Sequence, residues 1–180
     1  AIAFVLVNIF KCLFGYPYSI AGDSSFPNST DLSKFKGKFE SGIVLVRGDA
    51  GFNNMIRTWN HRTINITLPI VIVTPKTVDH IKTSIIFAKQ FKLRISVTST
   101  GYHQDVRNLA KDTVHIDMKY FNEVIITEDS VTPYVKVGTG QSSKDIYNKM
   151  EASVGRKWIL PHGADVGVGP YGWATGGGHG

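Results

Sequence analysis

The stretch from Pro69 to Asp105 leaves few folds open to this chain. It begins with Pro69-Ile-Val-Ile-Val-Thr74, a continuous β-branched run. A strand with one wet face would alternate, so this one reads as covered on both faces. Pro75 removes a backbone donor and ends it. Thr77 then offers an N-cap hydroxyl, and Asp79 places a carboxylate in the first helical turn, where the dipole favours it. Val78, Ile81, Ile85 and Ala88 recur at three- and four-residue spacing, which predicts an amphipathic helix to about Phe91 with Lys82 and Lys89 outside. Leu93, Ile95 and Val97 alternate with Arg94, Ser96 and Thr98, the period of a second strand. The unit is βαβ with a right-handed crossover. It delivers the polar run Thr98-Ser-Thr-Gly-Tyr-His-Gln-Asp105 to one edge of a sheet, where α/β proteins hold ligands.

The flanking sequence supplies further elements. Gly42 to Val46 is a short strand candidate, and Asn60-His-Arg62 precedes the first core strand. Downstream, Val114, Ile116 and Met118 alternate with His115, Asp117 and Lys119, which predicts another strand. Val124–Thr127 and Tyr134–Gly138 read as a strand pair joined by a polar turn. Ser142 and Asp145 form a capping-box pattern for a helix that ends near Val154-Gly155. Trp158 to Leu160 reads as a last short strand, and Gly22 to Phe39 as a polar loop.

With 180 residues, the chain is long enough for one sizeable core or for most of a larger domain. The net charge of +6 comes from Lys and Arg residues spread singly, without a basic arm. That is the pattern of a solvated surface, and no nucleic-acid partner is expected. The single cysteine, Cys12, allows no internal disulfide. Ala1 to Phe14 is mostly apolar but shorter than the ~20 residues of a membrane-spanning helix. It suits the core of a secretory signal, with a hydrophobic strand or a shortened membrane anchor as alternatives. Ser19, Ala21 and Gly22 offer cleavage positions. Sequons at Asn28 and Asn65 point the same way, to a secreted or extracellular glycoprotein without a stable membrane span. The chain starts without Met and stops inside a glycine-rich run, so we expect a fragment. Arg47-Gly-Asp49 matches an adhesion tripeptide, a frequent triplet of low specificity.

Two loops are candidates for chemistry. The tail from Pro161 to Gly180 holds eight of the eighteen glycines. Glycine lets backbone approach a ligand closely, and successive N–H groups can cradle phosphate. Gly167-Val-Gly-Pro-Tyr-Gly172 matches the dinucleotide fingerprint literally. A Rossmann site is nevertheless rejected, because Pro170 removes a donor, no acidic residue follows and no helix is expected next. In the loop Thr98 to Asp105, Ser99, Thr100 and Gly101 can donate hydroxyl and amide hydrogens to a diphosphate. An ordinary connection between elements has the same composition.

The ordered set of motifs resembles the FAD-binding domain of the vanillyl-alcohol-oxidase/p-cresol-methylhydroxylase (PCMH-type) flavoprotein superfamily, closest to berberine-bridge-enzyme-like oxidases. The residues that carry it are Pro69–Val78, Ala88-Lys89, Arg94–Gly101, Tyr134–Gly140 and the final Gly-Gly-Gly-His-Gly, over about Asn53 to Gly180. The resemblance implies an α+β, PCMH-type fold of two α+β subdomains with FAD between them, incomplete at its C-terminus. It implies that Ser99, Thr100, Gly101, Tyr102, His103, Gln104 and Asp105 wrap the FAD diphosphate. Gly163, Asp165, Gly167, Val168, Gly169, Gly172, Thr175, Gly177 and His179 then line the rest of the dinucleotide. It also implies an FAD-dependent oxidoreductase that takes a hydride from an alcohol, sugar or amine and passes electrons to molecular oxygen. A non-catalytic secreted flavin- or ligand-binding protein of the same fold is the alternative. Many relatives attach the flavin to a His directly after the loop glycine. Tyr102 stands there in this chain and His103 one place later, so non-covalent FAD is expected. No cysteine lies between Trp158 and Gly180 to form a second link, and no metal site is expected. The family's substrate region normally lies beyond these residues, so no catalytic base is assigned. The expected organisation is a signal over residues 1–22, an N-terminal extension over 23–60 and an incomplete FAD-binding domain over 61–180.

Overall fold

The computed structural model describes residues 26–58, 68–103, 108–128, 131–155 and 158–178. The apolar leader, Asn60-His-Arg62, and the site candidates Asn65, Gln104, Asp105 and His179 lie outside the described residues. The elements in order are α1 (Ser29–Lys36), β1 (Val44–Val46), a 3-10 turn (Asn53–Met55), β2 (Val71–Val73), α2 (Val78–Gln90), β3 (Ile95–Thr98) and β4 (Val114–Asp117). These are followed by β5 (Val124–Thr127), β6 (Tyr134–Val137), α3 (Ser143–Val154) and α4 (Pro170–Thr175).

The first four strands form one sheet in the order β1-β2-β4-β3. β4 runs parallel to both neighbours, Ile72 facing His115 on one side and Ser96 facing it on the other. The chain therefore crosses from β2 through α2 to β3 and later returns to fill the gap with β4. β1 closes the other side antiparallel, with Leu45 opposite Ile72. The period-two pattern explains two separate cores. Val44, Val71, Val73 and Val114 point to one face, against Phe35 of α1 and Phe87 and Ala88 of α2. Phe35 stacks on Phe87 with centroids 4.0 Å apart. Ile72 points to the opposite face with Phe52, Ile56 and Leu109. β5, β6 and α3 form a second α+β module, whose core is Ile146, Met150 and Val154 under Val124, Ile126, Val135 and Val137.

Three expectations change. Part of the loop expected over Gly22–Phe39 is helical. Asn28 Oδ1 accepts from Asp31 N at 3.0 Å while Asp31 Oδ2 accepts from Asn28 N at 3.0 Å, a reciprocal cap for α1. With Phe35 its one buried residue, the helix gives a weak apolar signal in sequence. Residues 26–58 also contribute to this sheet, since β1 pairs with β2 and Phe35, Ile43 and Val44 share its core. Trp158–Leu160 is not a strand. Trp158 and Leu160 pack their side chains on the second module while Ile159 is exposed, and Leu160 N donates to Tyr147 Oη at 3.2 Å instead of to a sheet neighbour. A helix does follow the Gly167–Gly172 run, though it is only the six residues of α4, with Pro170 in its first turn, where a missing N–H costs nothing. Among the described residues, no helix is long and apolar enough to cross a membrane.

Candidate functional site

β2, β3 and β4 are parallel, so their carboxyl ends share one edge of the sheet. β3 leads there into Ser99-Thr100-Gly101, and β4 into Met118-Lys119-Tyr120. The second module reaches the same edge through the residues after β6. Gly138 N donates to Glu123 O at 2.7 Å and Gly140 N to Phe121 O at 2.8 Å. Neither glycine has room for a side chain, because an added Cβ would strike the backbone of Phe121 or Met118. The two modules meet at this edge, and Ser99 Oγ crosses the seam to donate to Thr139 O.

The glycine-rich tail folds back onto this seam. Gly169 N donates to Thr100 Oγ1 at 3.1 Å, and a Cβ on Gly169 would lie 2.6 Å from Ser99 Oγ. A side chain there would have to displace the Ser99 hydroxyl. Gly167 N donates to Asp165 Oδ1 at 2.6 Å, which ties the tail into a turn. The Tyr102 ring lies against Gly167, with a virtual Cβ 3.3 Å from its edge. A hydrogen bond to Asp165 is the main cause that raises the Tyr102 hydroxyl pKa above its ordinary value. The amino end of α3 is also used by the tail. Ser143 N and Lys144 N donate to Val168 O and Val166 O, each at 3.0 Å. Those helix amides are therefore occupied by protein carbonyls.

The structure thus brings Ser99, Thr100, Gly101, Tyr102, Asp165, Gly167, Val168 and Gly169 together. It does not do so for every candidate. Gly163 packs under Trp173, its virtual Cβ 3.1 Å from the indole. Gly172, Thr175 and Gly177 are exposed, and the Thr175 hydroxyl turns back to Tyr171 O at 2.9 Å. His103 N donates to Gly101 O at 3.0 Å, which tightens the loop on itself. Arg47 and Asp49 of the adhesion-like triplet are both engaged within the fold. Arg47 donates to Pro69 O, Leu68 O and Asp112. Asp49 accepts from Val46 N and Lys36 Nζ. No group of three metal-ligating side chains occurs among the described residues.

One pair at the seam was missed by the sequence reading. Asp117, at the end of β4, is 1% exposed in its side chain and paired with Arg57. Arg57 Nε donates to Asp117 Oδ2 at 2.8 Å, and Arg57 Nη2 donates to both Asp117 Oδ1 and Ser99 O. A carboxylate at the buried carboxyl end of a central strand is the available sequence signal, because such a charge needs a partner.

The FAD binding domain family matches residues 69–180. The FAD-linked oxidoreductase janO of Penicillium janthinellum is 28% identical over 117 residues, 63% of this chain and 25% of that protein. This chain thus spans about a quarter of that curated relative's length. Among solved structures, the VAO-type flavoprotein MtVAO615 of Myceliophthora thermophila superposes with TM-score 0.71 at 16% identity, covering 89% of this chain and 38% of that one. The 6-hydroxy-D-nicotine oxidase of Arthrobacter nicotinovorans gives TM-score 0.64 at 21% identity, covering 75% and 28%. The berberine-bridge-enzyme-like protein 1 of Physcomitrella patens gives 0.65 at 21% identity, covering 77% and 29%. Two α+β modules meeting at a glycine-lined seam are thus the PCMH-type flavoprotein fold. The chain belongs to the FAD binding domain family, and its cofactor is FAD.

Proposed function

We propose that the full-length protein is an oxidoreductase that holds FAD non-covalently between the loop of residues 99–105 and the tail of residues 163–179. The observation that carries this reading is the convergence of Ser99, Thr100 and Gly169 at the carboxyl edge of the sheet, with Gly169 N 3.1 Å from Thr100 Oγ1. The residues present suit a dinucleotide. The buried Thr139 Oγ1, in the residue whose carbonyl accepts from Ser99 Oγ, has no hydrogen-bond partner. The Thr100 hydroxyl and the amides of residues 99–101 supply donors for the diphosphate, while glycines of the tail admit the rest of the molecule. When bound, FAD supplies the hydride-accepting chemistry, and the protein orients and shields it.

The substrate is a small alcohol, sugar or amine, and molecular oxygen takes the electrons. Exposed Asn28 carries a glycan, and the protein is secreted. The test is expression of the full-length protein. A yellow product that releases its flavin on acid denaturation and forms hydrogen peroxide with one of these substrate classes is the expected result. Colourless protein that FAD does not stabilise defeats the reading. Flavin without peroxide leaves a flavin-binding protein. Flavin retained on a peptide containing His103 overturns non-covalent binding.

A further inference from the structure

We propose that Arg57 is a positioning residue for FAD, holding residues 99–101 in the shape that receives the diphosphate. The inference rests on the reading that this loop holds FAD. Arg57 reaches the loop in two ways. Its guanidinium spans from the Asp117 carboxylate to Ser99 O, with a 2.6 Å hydrogen bond to the latter. Its own carbonyl lies under Gly101, where a Cβ would approach to 2.5 Å, and also accepts from Asn108 Nδ2 at 3.0 Å. Asn108 Nδ2 donates in turn to Thr98 Oγ1 at 3.0 Å, at the residue before the loop. Asp117 is held in place by Lys119 N at 3.0 Å as well as by Arg57. The loop backbone is thus suspended from a buried carboxylate through one planar cation.

The choice of arginine follows from the geometry. A guanidinium donates to a carboxylate and a carbonyl at once in a fixed fork, which an ammonium on a flexible stem cannot reproduce. Through Nε and Nη2, which are committed to Asp117 and Ser99, Arg57 acts on the loop. Peptide carbonyls that are fixed by their partners also fix the adjacent amides, because each peptide unit is planar. Pre-ordering those amides removes part of the cost of binding.

The experiment follows FAD release from the full-length holoprotein by the rise in flavin fluorescence on dilution. Arg57→Gln strips a buried carboxylate of its partner, a change that by itself destabilises folds. The decisive variant is therefore Arg57→Gln with Asp117→Asn, which removes the bridge without leaving a bare charge. It is expected to release FAD about tenfold faster, the size of one charge-assisted hydrogen bond. Arg57→Lys is expected to recover only part of that loss. Wild-type release by the double variant overturns the inference, and full recovery by Arg57→Lys does so too, since charge alone would then suffice. Ser99→Ala with Thr100→Ala serves as the control for the underlying reading. If that control speeds release and the Arg57 variants do not, the inference fails while the reading stands. If none of them changes release, the loop does not hold FAD and both fail.

Discussion

Replacing Gly101 by Ala tests the seam at its tightest point. Gly101 has φ +82°, a left-handed conformation that costs an L-residue about 1–2 kcal/mol. Its added Cβ would lie 2.5 Å from Arg57 O, 2.8 Å from Arg57 C and 3.3 Å from Thr58 N. All three are backbone atoms of one segment, so no side-chain rotation relieves the contact. Overpacking of this kind costs roughly 1–3 kcal/mol. The two costs together come to about 3 kcal/mol, or a thermal midpoint lower by roughly 6–12 °C in a domain of this size. Thermal unfolding of the full-length protein, followed by circular dichroism and flavin fluorescence together, measures both stability and retention of FAD. Gly101→Asn separates the two causes. Asn tolerates positive φ but keeps the Cβ, so it should recover less than half of the loss if contact dominates. A Gly101→Ala variant within about 1 °C of wild type that keeps its flavin would refute the close approach of the loop to Arg57, and with it the account of how the loop is held.

Three further outcomes are expected. Tyr102→Phe removes the hydroxyl that bonds Asp165 while keeping the ring on Gly167, so FAD should leave a few-fold faster with no change in the thermal midpoint of the flavin-free protein; unchanged release would remove Tyr102 from the clasp. Burial pushes the His115 pKa down to about 4, so the fold carries it neutral. The unfolded chain binds that proton near pH 6.5, and stability is therefore lost as pH falls from about 6.5 to 4, by roughly 3 kcal/mol, a slope that His115→Gln should flatten in urea titrations. Asn28→Asp keeps the cap of α1 but destroys its sequon, so it should reduce the glycosidase-sensitive mobility shift by one glycan without lowering stability.

Elements whose apolar period matches their geometry could be read from sequence. The β-branched run into β2, the Thr77 cap and spacing of α2, the alternation of β3 and the Ser142–Asp145 pattern before α3 each announce a local structure. α1 could not be read this way, because a single buried phenylalanine specifies it and the residue that receives Phe35, Phe87, lies in another element. Order within the sheet was equally hidden. The βαβ pattern predicts that β2 and β3 are parallel and joined by a right-handed crossover, but it says nothing of a strand between them. β4 enters that gap because its two faces suit different surroundings. Val114 and Ile116 are apolar, whereas His115 and Asp117 fit a polar layer in which Ser96 Oγ meets His115 Nδ1 at 2.8 Å and Arg57 meets Asp117. Alternation of apolar and polar residues was therefore no sign of a wet face here.

The site divides in the same way. Glycines reveal themselves in sequence, because loops rich in them mark close approach, and both loops singled out do meet at Thr100 and Gly169. Which glycines matter depends on partners that sequence does not supply. Gly169 faces Ser99, while Gly172 faces open space three residues on. Arg57 was less visible still. Asp117 demands a cation because a buried carboxylate without one is costly, and the chain offers twenty lysines and arginines. Only the fold selects Arg57, across sixty residues of sequence, by carrying the segment after the 3-10 turn over the polar face of β4. The same passage lays the Arg57 carbonyl beneath Gly101. One residue thus meets the electrostatic need of the sheet and the steric need of the loop. A change at Arg57 should therefore disturb the carboxyl edge of β4 and the turn after β3 together.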